Sequence, residues 1–268
     1  MSIFLIKVEI RSQTLKRMMK VLKEERHEKI LELLDKNGAM TTKELAAILF
    51  VSLPTLRRDL AELHSEKLII RSHGGAKKPA ANRQVAPLNF RRTVNSSEKR
   101  KLCREGAKLI SENNIIFIDA STTTLQLADF ISPALSVTVV TNSIQLAFLL
   151  KHKGIKTYCT GGELSGDSFA YLGAFTEKFI SGFNFDITFF SSYGINEKGM
   201  LTDPSLEETG MRLSAIRNSK TTVLLCDKTK LFLSAPYNLM PVSETDIIIT
   251  DDADFPDFGI PGERIIKV

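Results

Sequence analysis

Two kinds of polar cluster in this chain have residue types and spacings that suit chemistry. In "VSLPTLRRDLAEL", Val51 to Leu63, Arg57 and Arg58 sit side by side near the start of a short amphipathic segment. A guanidinium is a planar fork of N–H donors that matches phosphate oxygens or the O6/N7 edge of guanine. The second kind recurs downstream: "DASTTT" from Asp119, "TNS" from Thr141, "TGGE" from Thr160, "SSYG" from Ser191 and "CDKTK" from Cys226, each following an apolar run. Hydroxyls and backbone N–H groups at a helix start, with a nearby lysine, are groups that hold a phosphate ester. A lone arginine pair is more often a solvated helix face, and a lone "STTT" more often caps its own helix. The surrounding elements have to decide.

Around the arginine pair the pattern is helical three times over. In "EERHEKILELLDKNG", Ile30, Leu33 and Leu34 recur at i, i+3, i+4, and Asn37-Gly38 is a stop signal. "TTKELAAILF" has Thr41 and Glu44 at the capping-box spacing, with Leu45, Ile48 and Leu49 on one apolar face. Ser52 then caps a third helix, Pro54 falls in its first turn where no intrahelical donor is lost, and Leu56, Leu60 and Leu63 form one stripe. Thr55, Arg57 and Arg58 lie off that stripe. A helix, a tight turn and a second helix with polar residues at its start is helix-turn-helix geometry, whose second helix enters the major groove. "LIIRSHGGAKK", Leu68 to Lys78, reads as a β-wing reversing at Gly74-Gly75, with cations for phosphate or a minor groove. The expected DNA contacts are Thr42, Ser52, Thr55, Arg57 and Arg58, with Arg71, His73 and Lys77 from the wing.

Charge supports the same division. The 268 residues carry a net +5, but residues 1–108 hold 24 Lys and Arg against 12 Asp and Glu, a net +12, and residues 109–268 a net −7. A basic front on an acidic body suggests that only the front meets a polyanion. Hydrophobic content of 43% and charged content of 25% are those of an ordinary globular protein with room for two domains. No apolar run approaches the ~20 residues of a membrane-spanning helix, and "IFLIKVEI" is too short and too charged for a signal peptide. The expected location is therefore the cytoplasm. Cys103, Cys159 and Cys226 are far apart, and the four histidines form no ligand pattern. Neither a disulfide framework, a metal site nor a cofactor is expected.

Residues 79–95 carry proline, alanine and asparagine without a period and read as a connector, after which Ser96 or Ser97 caps a helix. Beyond it, apolar runs at 115–119, 137–141, 156–159, 186–190, 222–227 and 246–250 alternate with helical patterns at 122–131, 142–150, 174–181 and 205–219. Continuous apolar strands between helices indicate a largely parallel sheet covered on both faces. All the polar clusters then fall at the carboxyl ends of strands, where open α/β sheets bind ligands. Ser121, Thr122, Thr123 and Thr124 are placed to take a phosphate, with Lys230 as a mobile cation; no GxxxxGK[ST] occurs, which disfavours nucleotide hydrolysis.

"ERHEKILELL", "VSLPTLRRDLAEL" and "LIIRSHGGA" together closely resemble the winged helix-turn-helix of the DeoR family of bacterial transcriptional regulators. "D.STTT", "TNS", "GGE", "LG", "YGI…G" and "D.TK" resemble that family's C-terminal effector domain, related in fold to pentose-phosphate isomerases and CoA transferases. The resemblance covers residues 24–252. It implies an N-terminal extension over 1–23, of which residues 1–17 would precede a start at Met18 or Met19, a DNA-binding domain over 24–78, the connector over 79–95, and a sensor and oligomerisation domain over 96–268. It further implies a repressor of sugar metabolism, a dimer or tetramer, released from duplex DNA, or occasionally engaged on it, by a phosphorylated sugar. To the effector site it assigns Asp119, Ser121 to Thr124, Thr141, Asn142, Ser143, Gly161, Gly162, Tyr193, Gly194, Glu208, Arg212 and Lys230. The chain departs from the pattern at Pro54 and Lys67, at Ser121, Ser191 and Phe232 where glycine is usual, and at Arg212 where lysine is usual. A side chain at a former glycine narrows the pocket. The competing reading is a sugar-phosphate isomerase with a DNA-binding appendage, whose carboxylate base would come from Asp119, Glu163, Glu208 or Asp227.

Overall fold

A computed structural model describes residues 23, 25–34, 36–66, 68–72, 74–77, 88–166 and 168–268. The N-terminal extension with Met18 and Met19, Lys67, His73, Lys78 and most of the connector lie outside the described residues. The chain divides into two compact units at Val94/Asn95.

In the first unit, residues 25–34 and 36–37 are helical (α1), followed by β1 (Ala39–Thr41), α2 (Thr42–Ile48), α3 (Leu53–Ser65), β2 (Ile70–Ser72) and β3 (Gly75–Lys77). Ile30, Leu34, Leu45, Leu56, Leu60, Leu63 and Ile69 form its core. The Thr41–Glu44 capping box is present, and Ser52 caps α3. The apolar face of α2 is shifted from the expected one: Leu45 and Ala46 are buried, while Ile48 is 47% exposed. The wing is a three-stranded antiparallel sheet in the order β1-β3-β2, of which the short β1 gives no sequence signal. It explains the second glycine of the pair. A Cβ on Gly75 would lie 2.1 Å from the Met40 carbonyl oxygen across β1, whereas one on Gly74 would meet nothing within 4 Å. Within the segment read as a connector, Leu88–Thr93 forms a helix, α4.

The second unit is built on a seven-stranded sheet in the order β15-β14-β12-β9-β4-β5-β6. Its strands are β4 (Ile115–Ile118), β5 (Thr138–Thr141), β6 (Lys156–Cys159), β9 (Phe185–Phe190), β12 (Ser219–Cys226), β14 (Ile247–Thr250) and β15 (Ile265–Lys267). Every neighbouring pair is parallel. Successive side chains of a strand leave by opposite faces. Ile116 and Ile118 accordingly enter one apolar cluster, and Phe117 between them enters another with Ile180, Phe185, Met211 and Ala215. The helices are α5 (Ser96–Ala107), α6 (Ile144–His152), α7 (Ala174–Ile180) and α8 (Leu206–Arg217). Three features differ from expectation. Asn95, not Ser96 or Ser97, occupies the N-cap of α5. The helix expected over 122–131 is a 3-10 turn, Thr124–Asp129. The hairpin β7 (Glu163–Ser165)–β8 (Ala170–Leu172) and the antiparallel sheet β10 (Gly194–Ile195), β11 (Met200–Asp203), β13 (Tyr237–Pro241) are additions.

Candidate functional site

The arginine pair owes its exposure to its neighbour. With Leu56, Leu60 and Leu63 packed in the core, Asp59 is carried inward on the same side of α3 and is buried. It receives a two-pronged contact from Arg26 on α1, at 2.6 Å and 2.9 Å, and lies 3.2 Å from His27 Nε2. Burial alone would raise the Asp59 carboxyl, but hydrogen bonds from Arg26 and His27 and their charges outweigh it and hold it below its ordinary 3.8. The third charge of "RRD" thus fastens α1 to α3 while Arg57 and Arg58 stay exposed. At the start of α3 the Ser52 hydroxyl accepts from the Thr55 N–H at 3.3 Å and pairs with the Thr55 hydroxyl at 2.9 Å.

A concavity on this unit brings together Thr42 from α2, Arg57 from α3 and Arg71 from β2, with Lys43, Leu53, Ser72, Gly74 and Gly75 completing its lining. Ser52, Arg58 and Lys77 are exposed outside that lining, and Thr55 is half-buried. Sequence reasoning used "TTKEL" only for its cap and passed over Lys43, which the fold sets beside Arg57 and Arg71.

In the second unit, chain order along the sheet reverses between β4 and β9, the switch point at which open α/β sheets form a crevice. Asp119 follows β4 and Ser191 follows β9, and the Ser191 N–H donates to Asp119 Oδ2 at 3.2 Å. Asp119 Oδ1 accepts the Thr124 hydroxyl at 2.7 Å and the Ser121 N–H at 3.2 Å. The Ser121 and Thr124 hydroxyls lie 2.8 Å apart. The "STTT" loop is therefore folded back onto its own aspartate, and the 3-10 turn behind it is too short to offer the dipole of a full helix.

Arg212 of α8 occupies the centre of this cluster with a side chain only 6% exposed. Its Nε donates to Asp119 Oδ2 at 2.9 Å. Nη1 lies 2.8 Å from Asp203 Oδ2 as an ion pair, off the hydrogen-bond direction, and Nη2 donates to Glu208 at 3.3 Å. Burial works against the Arg212 charge, but Asp203, Asp119 and Glu208 overcome it and keep the guanidinium charged. Asp203 goes the other way: its burial raises its carboxyl above the ordinary range despite Arg212. Its Oδ1 accepts the Tyr193 N–H at 2.9 Å. Sequence reasoning did not select Asp203, although an acid at the end of an apolar "MLTD" run matched the strand-end rule applied elsewhere.

Lys230 is not a dangling cation. Its Nζ donates to the Ser191 hydroxyl and, at 2.9 Å, to the Ser192 carbonyl. On the β5–β6 side, the Ser143 N–H bonds the Thr141 hydroxyl at 3.0 Å, and the Asn142 amide donates to the Tyr171 carbonyl at 3.1 Å. Gly161 and Gly162 have φ of 68° and 116°, and a Cβ on Gly162 would lie 2.4 Å from the Thr176 hydroxyl. Gly194 similarly abuts Leu233. Among the described residues, Thr123 Oγ1, Asn142 Oδ1, Thr160 Oγ1 and Ser168 Oγ are buried polar atoms with no hydrogen-bond partner. Thr160 opens the "TGGE" cluster but is not among the expected site residues, and nor is Ser168. Of the carboxylates considered as a base, Asp119 and Glu208 are held by Arg212, Asp227 is bonded to Asn95 and Thr229, and Glu163 is exposed on β7. Among the described residues no group of three or more acidic, histidine or cysteine side chains is arranged to hold a metal ion, and no helix is long and apolar enough to cross a membrane.

Residues 26–81 match the DeoR-like helix-turn-helix domain, and residues 94–252 match the DeoR C terminal sensor domain. The chain belongs to the DeoR family. Among its relatives, the HTH-type transcriptional regulator GolR of Listeria innocua is 32% identical over 88% of this chain and 96% of its own. The HTH-type transcriptional repressor GlcR of Bacillus subtilis is 36% identical over 85% and 88%. The glycerol-3-phosphate regulon repressor of Escherichia coli is 32% identical over 85% and 90%. Likeness to the ribose 5-phosphate isomerase of Methanocaldococcus jannaschii is remote, with a TM-score of 0.39 and 17% identity over 51% of this chain and 55% of that one. As a DeoR-family chain the protein thus joins a winged helix-turn-helix to a sensor domain built on a parallel sheet.

Proposed function

We propose that the protein is a transcriptional repressor whose hold on an operator is controlled by a phosphorylated sugar bound in the crevice at the carboxyl edge of the sensor sheet. The DNA-contacting set is Thr42, Ser52, Thr55, Arg57, Arg58, Arg71, His73 and Lys77, to which Lys43 is added. Two copies would place two recognition helices on half-sites one helical turn, about 34–36 Å, apart, or a multiple of it.

The observation that carries the ligand half is the set of unpartnered atoms at the ends of β4, β5 and β6: Thr123 Oγ1, Asn142 Oδ1 and Thr160 Oγ1. An unpaired buried polar group costs about 1–3 kcal/mol. A polyhydroxylated ligand that pairs several of them regains that cost, which an apolar ligand does not. For the phosphate, Lys230 is the matching cation: it forms no ion pair among the described residues, and its partners are neutral oxygens. A phosphate oxygen makes a charge-assisted and therefore stronger bond.

The test is a titration of the protein on its own promoter fragment against random duplex at fixed salt, with and without sugar phosphates. Wild type discriminates the two duplexes, and a binding sugar phosphate changes that discrimination. Arg57→Ala weakens operator binding by about 1–3 kcal/mol and leaves stability unchanged, as loss of one base-directed arginine should. Equal affinity for the promoter and random duplex under every condition would overturn the assignment. A ligand at 100 times its Kd also stabilises the native protein by about 2.7 kcal/mol, and Lys230→Ala should abolish that gain.

A further inference from the structure

Asn95 is the first residue of the sensor unit, and its conformation is unusual for a helix cap. It sits in the left-handed region, φ 51° and ψ 36°, with no side-chain capping hydrogen bond. Its amide instead donates to Asp227 Oδ1 at 3.1 Å and to the Thr229 hydroxyl at 3.0 Å, more than 130 residues away in sequence. Asp227 is buried, and the same oxygen also receives the N–H and hydroxyl of Thr229. Burial would raise its carboxyl, but Lys230, Thr229, Lys99 and Asn95 outweigh that and keep it lowered.

The turn that Asp227 caps, Lys228–Lys230, carries the lysine that reaches the crevice. Lys230 bonds Ser191 and Ser192, and Ser191 bonds Asp119. The Lys230 N–H donates to the Asp227 carbonyl at 3.0 Å, so a run of hydrogen-bonded residues leads from the crevice to the residue at which the chain departs for the DNA-binding unit. Along it, Lys230 alone can exchange neutral acceptors for an anion.

We propose that Asn95 is a positioning residue that couples the two activities: a phosphorylated ligand draws Lys230 from Ser191 and Ser192, the Asp227–Thr229 turn moves with it, and Asn95 passes the change to the preceding chain. The proposal rests on the crevice being the ligand site. Its energetic content is that ligand and operator favour different arrangements of this turn, without which no signal passes.

The test uses the full chain, its promoter fragment, and glycerol 3-phosphate, ribose 5-phosphate and glucose 6-phosphate as probes, with inorganic phosphate as reference. Asn95→Gly keeps the left-handed backbone accessible and deletes the amide. Wild type shows a ligand-dependent change in operator affinity within the usual span of about 5- to 150-fold, and in Asn95→Gly that change falls to about twofold or less. Operator affinity without ligand and ligand affinity without DNA both stay near wild type in the variant, which separates coupling from a structural role that would lower stability and spare the coupling. Thr229→Val tests the same link from the other end should Asn95→Gly fail to fold. Coupling equal to wild type in whichever variant folds overturns the relay while the crevice assignment stands. Wild type that binds its operator and none of the probes overturns the crevice assignment, and the relay with it.

Discussion

In the DNA-binding unit one buried carboxylate is shared by a cation and a histidine; in the sensor unit one buried cation is shared by three carboxylates. Asp59, held by Arg26 and His27, has its charge met in full and faces no ligand. Arg212, between Asp119, Asp203 and Glu208, leaves a surplus of negative charge, and the charges of Glu208 and Asp119 add to the burial that raises the Asp203 carboxyl. The two clusters are built for different work. The first is a fastening that lets the residues with chemistry, Arg57 and Arg58, point outward. In the second, the residues with chemistry are themselves the fastening, because a crevice turns its polar groups inward and they must satisfy one another when no ligand is present. A buried ion pair in general adds little net stability, while breaking one is costly.

Removing the shared ion from each cluster tests that contrast. Arg212→Met strands three carboxylates and should lower stability in urea by about 4 kcal/mol, within the range for an uncompensated buried charge. The loss relative to wild type should shrink as the pH falls toward the carboxylate range. Without the cation the Asp203 carboxyl, already raised by burial, rises further, so the folded form of the variant takes up the extra proton. A loss that does not vary with pH would mean that Arg212 acts by packing alone. Asp59→Asn should cost about 3 kcal/mol, less because Arg26 keeps part of its side chain in water. This loss also shrinks in acid, but because wild type loses stability there rather than because the variant gains it. The Asp59 carboxyl is lowered in the fold, so the stability it contributes in wild type is complete above its ordinary 3.8 and fades as pH falls through the lower folded value. Chemical denaturation of wild type and Asp59→Asn across that window should show the two curves converging in acid.

The same contrast explains what the sequence disclosed. Local patterns carried the DNA-binding unit because its determinants are local: a capping box, Ser52 before Pro54, and a leucine stripe all lie within one element. Asp59 escaped notice because its partners Arg26 and His27 are 33 and 32 residues away. In the sensor unit the apolar runs located six of the seven parallel strands, and the strand-end rule pointed to Asp119, Ser121 and Lys230, which the fold joins through Ser191. The rule did not reveal that the 3-2-1-4 order would put Ser191 against Asp119, nor that α8 would deliver Arg212 to Asp203. Those juxtapositions arise from crossovers, and period and spacing do not encode them. Asn95 was invisible for a related reason: as an ordinary polar residue before two serines, it reads as part of a linker.

The smallest expected effect concerns a feature that the two units share. Phe50 and Phe232 both lie in the left-handed region, at φ 53° and 60°. Phe50 ends α2 in a Schellman arrangement, with the Val51 N–H on the Ala46 carbonyl at 3.1 Å and the Phe50 N–H on that of Ala47 at 3.4 Å, the place where glycine is usual. Left-handed backbone costs a side-chain-bearing residue about 1–2 kcal/mol, and glycine returns about 0.5–1 of that through the freedom of the unfolded chain. With Phe50 94% exposed there is almost no packing to lose, so Phe50→Gly should stabilise the DNA-binding unit by about 0.5 kcal/mol. Phe232 is 57% exposed and follows the lysine of the crevice. Its replacement by glycine releases similar strain but gives up some burial, and it should gain less. Thermal unfolding of both variants decides the matter. A rise for Phe232→Gly at least equal to that for Phe50→Gly would show that the sensor's aromatic packs against nothing of value. A fall for Phe50→Gly would show that the bare ring at the helix turn makes a contact that its exposure does not suggest.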